Sequence, residues 1–143
     1  MAKLTITKLL KNWNIGVPVK KIAVPKQDKL EFFYIAIDKQ IYKVNENMKH
    51  KTKILSAKLP IRDMCVSPNN LILCAIEGSN IHIVEIGSKR KVVYKNGVQV
   101  NCIAYNPEQE LIATGDENGH IKLWYPQVNE KSVSDLYNDH NIK

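Results

Sequence analysis

Val100-Asn-Cys-Ile-Ala-Tyr-Asn-Pro107, Leu111-Ile-Ala-Thr-Gly115 and His120-Ile-Lys-Leu-Trp124 are three short apolar runs whose separators carry turn chemistry. Asn106-Pro107 stops the first run, because proline cannot donate to a strand ladder. Asn118-Gly119 is the dipeptide that most readily takes the positive φ angles of a tight hairpin. Three antiparallel strands are therefore predicted here.

The same grammar recurs upstream as Ile61-Arg-Asp-Met-Cys-Val-Ser-Pro68, Leu71-Ile-Leu-Cys-Ala-Ile76 and Ile81-His-Ile-Val84. Val100 follows Ile61 by 39 residues and Pro107 follows Pro68 by 39, whereas Ile121 follows Ile81 by 40. One residue has thus entered a loop after the proline, where insertions are well tolerated. A more divergent copy precedes these: Val19 to Val24, Phe32-Phe-Tyr-Ile-Ala-Ile37 and Ile41 to Val44. Thr52 to Leu55, Lys91 to Tyr94 and Ser132 to Tyr137 could each add a fourth strand. Four strands per 40 residues describes a β-propeller blade. The expectation is an all-β chain of three four-stranded blades at residues 17–55, 59–97 and 98–137, an incomplete propeller. Leu4 to Leu10 is ambiguous and could close a preceding blade.

At Leu111-Ile-Ala-Thr-Gly-Asp-Glu-Asn-Gly-His-Ile-Lys-Leu-Trp124 the chain resembles the second half of a WD40 repeat. The resemblance implies a buried network of a strand Thr, a turn Asp, a strand Trp and a preceding Gly-His. By position Thr114 and Trp124 match, with Gly119 in the turn; Asn118 stands where Asp is usual, Tyr125 replaces the Asp of the Trp-Asp pair, and Lys95-Asn96 stands where Gly-His would be. An incomplete network is expected. From Val100 onward, with Trp124, the spacer holding Leu136 and Tyr137, and Asp139-His140, the chain is also similar to WD-repeat subunits of the UTP-A group of the U3 small-subunit processome. That resemblance implies an architectural protein of small-subunit ribosome biogenesis and pre-rRNA processing in the nucleolus.

The chain has 143 residues, 44% of them hydrophobic, enough for one compact domain. The longest apolar run, Leu71 to Ile76, is strand-sized, and no signal-peptide pattern opens the sequence, so neither membrane nor export is expected. Cys65, Cys74 and Cys102 are odd in number and flanked by apolar residues, which predicts reduced, buried thiols in an intracellular protein. No Cys-x-x-Cys or close His offers a metal site, and no glycine-rich loop leads into a helix to cradle phosphate, so no metal or cofactor is expected.

Catalysis would need a general base, and His50, His82, His120 and His140 are the histidines available. Alternation places His82 toward solvent and His120 beside a turn. Glu108 with Glu110 and Asp116 with Glu117 read as solvated turn carboxylates. A non-enzymatic scaffold for protein–protein or ribonucleoprotein assembly is therefore the leading expectation, with a WD-repeat adaptor in an unrelated complex as an alternative.

The formal net charge is +7, nearly all of it lysine, with Arg only at 62 and 90. Lysine attracts phosphate as a point charge and lacks the fork that reads base edges, so direct RNA binding, the other alternative, would be non-specific. Lys49, Lys51 and Lys53, and Lys89, Arg90 and Lys91, follow third strands 40 residues apart, a candidate stripe for RNA phosphates or acidic protein segments. Three blades cannot close a ring. The partners expected are thus other proteins of a complex and further blades, from this chain as part of a longer protein (the preferred explanation), from self-association, or from another chain.

Overall fold

The computed structural model describes residues 8–128, which form eleven strands and no helix. The predicted fourth strand over Ser132–Tyr137, with Leu136, Tyr137, Asp139 and His140, lies outside the described residues. So do residues 4–7 of the Leu4–Leu10 segment; within 8–10 no strand forms.

Sheet A contains β1 (Lys21–Ala23), β2 (Phe32–Ile37), β3 (Gln40–Asn45) and β4 (Lys51–Ser56). Sheet B contains β5 (Asp63–Val66), β6 (Ile72–Glu77), β7 (Asn80–Glu85) and β8 (Lys91–Lys95). Sheet C contains β9 (Val100–Asn106), β10 (Leu111–Asp116) and β11 (Ile121–Trp124). Each is an antiparallel meander in chain order. These are the strands the alternation of apolar residues marks, because only a period of two puts one set of side chains on each face.

The sheets pack face to face in succession. Ala23, Tyr34, Ala36, Ile41 and Leu55 of sheet A meet Met64, Leu73, Ala75 and Val84 of sheet B. The other face of sheet B gives Cys74, Ile76, Ile81 and Ile83 to Val100, Ile103 and Ile112 of sheet C. Both faces of β6 are thus buried, and its continuous apolar run reflects that. The outer face of sheet A buries Phe33, Ile35 and Val44, with Ile15 of the incoming segment packed on them.

The hairpin turns decide where the repeat gains a residue. Asp38-Lys39 and Gly78-Ser79 are two-residue turns with positive φ at the first position. Between β10 and β11 the loop is three residues, Glu117 to Gly119, closed by Asp116 N–H to the His120 carbonyl at 3.0 Å. Here only Gly119 takes a positive φ, +84°, and Asn118 does not, which corrects the expected Asn-Gly turn. The extra residue converts it to the form in which a terminal glycine supplies the left-handed position.

The β5–β6 connection is held from within. Ser67 is buried, and its Oγ accepts the N–H groups of Leu71 and Ile72 at 3.0 Å each. Ser67→Ala leaves those donors without this acceptor and should lower the unfolding free energy by about 1–3 kcal/mol in urea titration.

Candidate functional site

Asp63 ties the three innermost strands together. Its Oδ1 accepts Met64 N–H at 2.9 Å and pairs with Lys21 Nζ at 3.0 Å, and its Oδ2 accepts Ile103 N–H at 3.1 Å. One carboxylate therefore reaches β1 on one side and β9 on the other.

Two further carboxylates fasten the ends of sheets B and C. Asp116 Oδ1 accepts the N–H groups of Asn118 and His120 at 3.0 Å each, and its Oδ2 accepts Asn96 Nδ2 at 3.1 Å. Asn96 in turn donates to the Val98 carbonyl and accepts Lys122 Nζ at 2.7 Å. Thirty-nine residues earlier, Glu77 does the same work: Asn80 Nδ2 and His82 Nε2 meet Oε1 at 3.0 Å each, and Leu59 N–H donates to Oε2 at 2.9 Å. Each carboxylate thus joins the turn of its own sheet to the connection that enters that sheet. Asp116 is buried, so the reading of it as a solvated turn charge is corrected. His82 likewise is largely buried against Glu77 and does not face solvent, while His120 is exposed beside its turn. Local alternation could not show this. The 39-residue spacing of two acids before equivalent turns was the available signal.

Of the residues singled out by motif, Trp124 Nε1 donates to Thr114 Oγ1 at 2.9 Å, with Thr114 buried and the indole stacked on Tyr94 at 5.6 Å. Asn118 is exposed, and the network's carboxylate comes from Asp116 two residues earlier. The Tyr94 hydroxyl donates to the Gln127 carbonyl at 2.7 Å, which fastens the chain after β11 to sheet B.

Both special carboxyls sit below their usual range. For Asp116 the Asn96 hydrogen bond dominates, helped by the two turn N–H groups. For Glu77 burial is the largest influence and pushes upward, but the bonds from Asn80, His82 and Leu59 outweigh it. Depressed carboxyl pKa values stabilise the fold above the unfolded pKa near about 4, and the contribution is lost as pH falls through the folded values. The melting temperature should therefore drop below about pH 4, and less steeply in Asp116→Asn than in the parent, as followed by circular dichroism.

The basic residues split. Lys49 and Lys89 occupy equivalent turns and Lys51 and Lys91 open the outermost strands β4 and β8, all at the same end of the sheets, with Lys53 further along β4. Lys51 Nζ lies 4.5 Å from the centre of the Tyr42 ring. Arg90 is bound to Glu85, Nη2 to Oε1 at 3.0 Å, which offsets its charge.

The cysteines are all free, but their burial differs from the expectation: Cys74 is buried, Cys65 partly so, and Cys102 is exposed. Cys65 and Cys74 face each other across β5 and β6, and their hydrogen bond together with burial raises the Cys74 thiol. Cys102 instead lies on the outer face of sheet C. Ile121 and Leu123 share that face and are exposed by 81% and 68%. The residues equivalent to Ile121 in sheets A and B, Ile41 and Ile81, are fully buried under the next sheet. Among the described residues no further sheet lies over this face of sheet C.

Among the described residues there is no group of three or more His, Cys, Asp or Glu able to hold a metal ion, and no helix long and apolar enough to cross a membrane.

Residues 88–125 match the family model described as WD domain, G-beta repeat. That segment takes β8 from sheet B and β9–β11 from sheet C, so the sequence repeat is offset from the sheet by one strand. The chain is similar to WD repeat-containing protein 1 of Bos taurus and of Rattus norvegicus, 24% identical over 102 residues in each case. The match covers 66% of this chain and 17% of the length of those relatives. Family model and relatives both support the WD-repeat family.

Proposed function

We propose that this chain is a non-enzymatic WD-repeat scaffold whose repeats, 17–55, 59–97 and 98–137, form a sector completed by a further β-sheet laid on sheet C. The contrast between Ile121 and its buried equivalents Ile41 and Ile81 carries this reading. Covering a large aliphatic side chain is worth about 1.5–3 kcal/mol, and here Ile121 and Leu123 would be covered together. Whether the sheet comes from the same protein or from a partner, the surface it needs is the same. Sedimentation velocity tests it: the chain should associate with rising concentration, and Ile121→Lys with Leu123→Lys should remain monomeric at an unchanged melting temperature. Identical mass distributions for both would count against the proposal.

A ribonucleoprotein setting is the narrower reading, supported by the processome resemblance and by the equivalent placement of Lys49 with Lys89 and Lys51 with Lys91. Lysine contacts of this kind give RNA affinities of about 10⁻⁴–10⁻⁶ M that fall steeply with salt. Lys89→Glu with Lys91→Glu should weaken binding to a mixed-sequence RNA and flatten its salt dependence in filter-binding titrations.

A further inference from the structure

The loop between β7 and β8, Ile86 to Lys89, brings a hydroxyl into an ion pair. Its ends are held by Glu85 N–H to the Arg90 carbonyl and by Lys89 N–H to the Glu85 carbonyl, at 2.8 Å each. Ser88 is exposed, and its Oγ donates to Glu85 Oε1 at 2.5 Å. Arg90 Nη2 reaches the same carboxylate oxygen at 3.0 Å, while the Arg90 backbone N–H and Nε–H donate back to Ser88 Oγ at 3.2 and 3.4 Å. Lys89 and Lys91, both exposed, flank that arginine. The other described serines are placed differently: Ser67 is buried, Ser79 is half-buried in its turn, and Ser56 is paired within β4. The corresponding loop of sheet A has Met48 at this position, forty residues earlier.

We infer that Ser88 is a phosphorylation site whose phosphate switches off the attraction of the lysine-bearing end of sheets A and B for RNA. The switch rests on the ribonucleoprotein reading; the site itself does not. In the transfer, Ser88 Oγ attacks the γ-phosphorus of ATP held by a serine kinase. The new O–P bond forms as the bond to ADP breaks, ADP keeps the electron pair, and the hydroxyl proton passes to the kinase's carboxylate base. A kinase with an acidic substrate groove fits, since three cations directly follow the serine. Among the described residues β8 is an outermost strand hydrogen-bonded only to β7, so the loop and Lys91 can peel into an extended substrate conformation without opening the core. The product carries about −1.5 to −2 charges beside Arg90. Its oxygens repel Glu85 and take over the guanidinium that Glu85 now holds, a planar donor set suited to phosphate. Lys89 and Lys91 are then offset by an anion on their own loop.

The test treats the full chain with MgATP and a serine kinase that favours basic substrates, the catalytic domain of protein kinase C, and maps the product by mass spectrometry. A phosphate on Ser88 is expected, with that incorporation lost in Ser88→Ala. By phosphorus NMR the phosphoserine should titrate below its ordinary second pKa of about 6, and Arg90→Gln, with phosphoserine encoded at 88, should return it toward that value. Phosphorylation should weaken binding to a mixed-sequence RNA about tenfold at low salt and flatten its salt dependence, whereas Ser88→Ala should bind alike before and after kinase treatment. No phosphate on Ser88, or a titration indifferent to Arg90→Gln, overturns the site. RNA affinity unchanged by phosphate on Ser88 overturns the switch. A parent chain that binds no RNA sinks the ribonucleoprotein reading and the switch with it, while the mapping and the titration still decide the site.

Discussion

Ile81→Ala is expected to lower the unfolding free energy by about 2–5 kcal/mol, while Ile121→Ala changes it by no more than about 0.5 kcal/mol. The two residues hold the same position in β7 and β11, one repeat apart. Ile81 is fully buried between sheets B and C, packed with Cys74, Ile83, Val100 and Ile112, so truncation removes apolar contact and leaves a cavity that the surrounding strands cannot fill. Ile121 already meets solvent over most of its surface and loses little. Urea titration of both variants reads the difference directly. Similar losses at the two positions would mean that the outer face of sheet C is covered in the isolated chain.

Asp63→Ala is the second large effect, about 2–4 kcal/mol by the same measurement. The carboxylate accepts two backbone N–H groups, from Met64 and Ile103, and the second of these belongs to the neighbouring sheet. Its side chain is only 13% exposed, so water replaces those bonds poorly. The Lys21 ion pair should account for the smaller share, because Lys21 is nearly half exposed and such pairs are worth about 0–1 kcal/mol. Lys21→Met should consequently cost much less than Asp63→Ala, and Asp63→Asn, which keeps an acceptor oxygen, should fall between them. A loss at Lys21 equal to that at Asp63 would shift the weight from hydrogen bonding to charge.

Alternating apolar residues made the strands legible, since a sheet buried on one or both faces leaves a period of two or an unbroken run in the sequence. Phe32–Ile37 shows it most plainly, coinciding with β2. Turn chemistry located the hairpins but misjudged the conformation of Asn118, because the longer loop with its Asp116 acceptor makes a different turn from a two-residue one. What alternation could not show is the lateral bonding. Asp63 finds Ile103 forty residues away, and Asp116 finds Asn96 across a connection between two sheets. Those contacts follow from how neighbouring repeats stack, so only the spacing between repeats carries a trace of them, as in Glu77 and Asp116. Cys102 was misread for the related reason that its apolar flanks describe a sheet face without saying whether another sheet lies on it.

That same cysteine gives the most direct measurement of whether sheet C is an assembly surface. The rate of Cys102 alkylation by N-ethylmaleimide should be compared between the dilute isolated chain and the protein isolated with its native assembly intact, with buried Cys74 as the internal reference. Rapid modification in the isolated chain and at least about tenfold slower modification in the assembly is the predicted result, since coverage by a packed sheet excludes both water and reagent. Equally rapid modification of Cys102 in both would contradict the account.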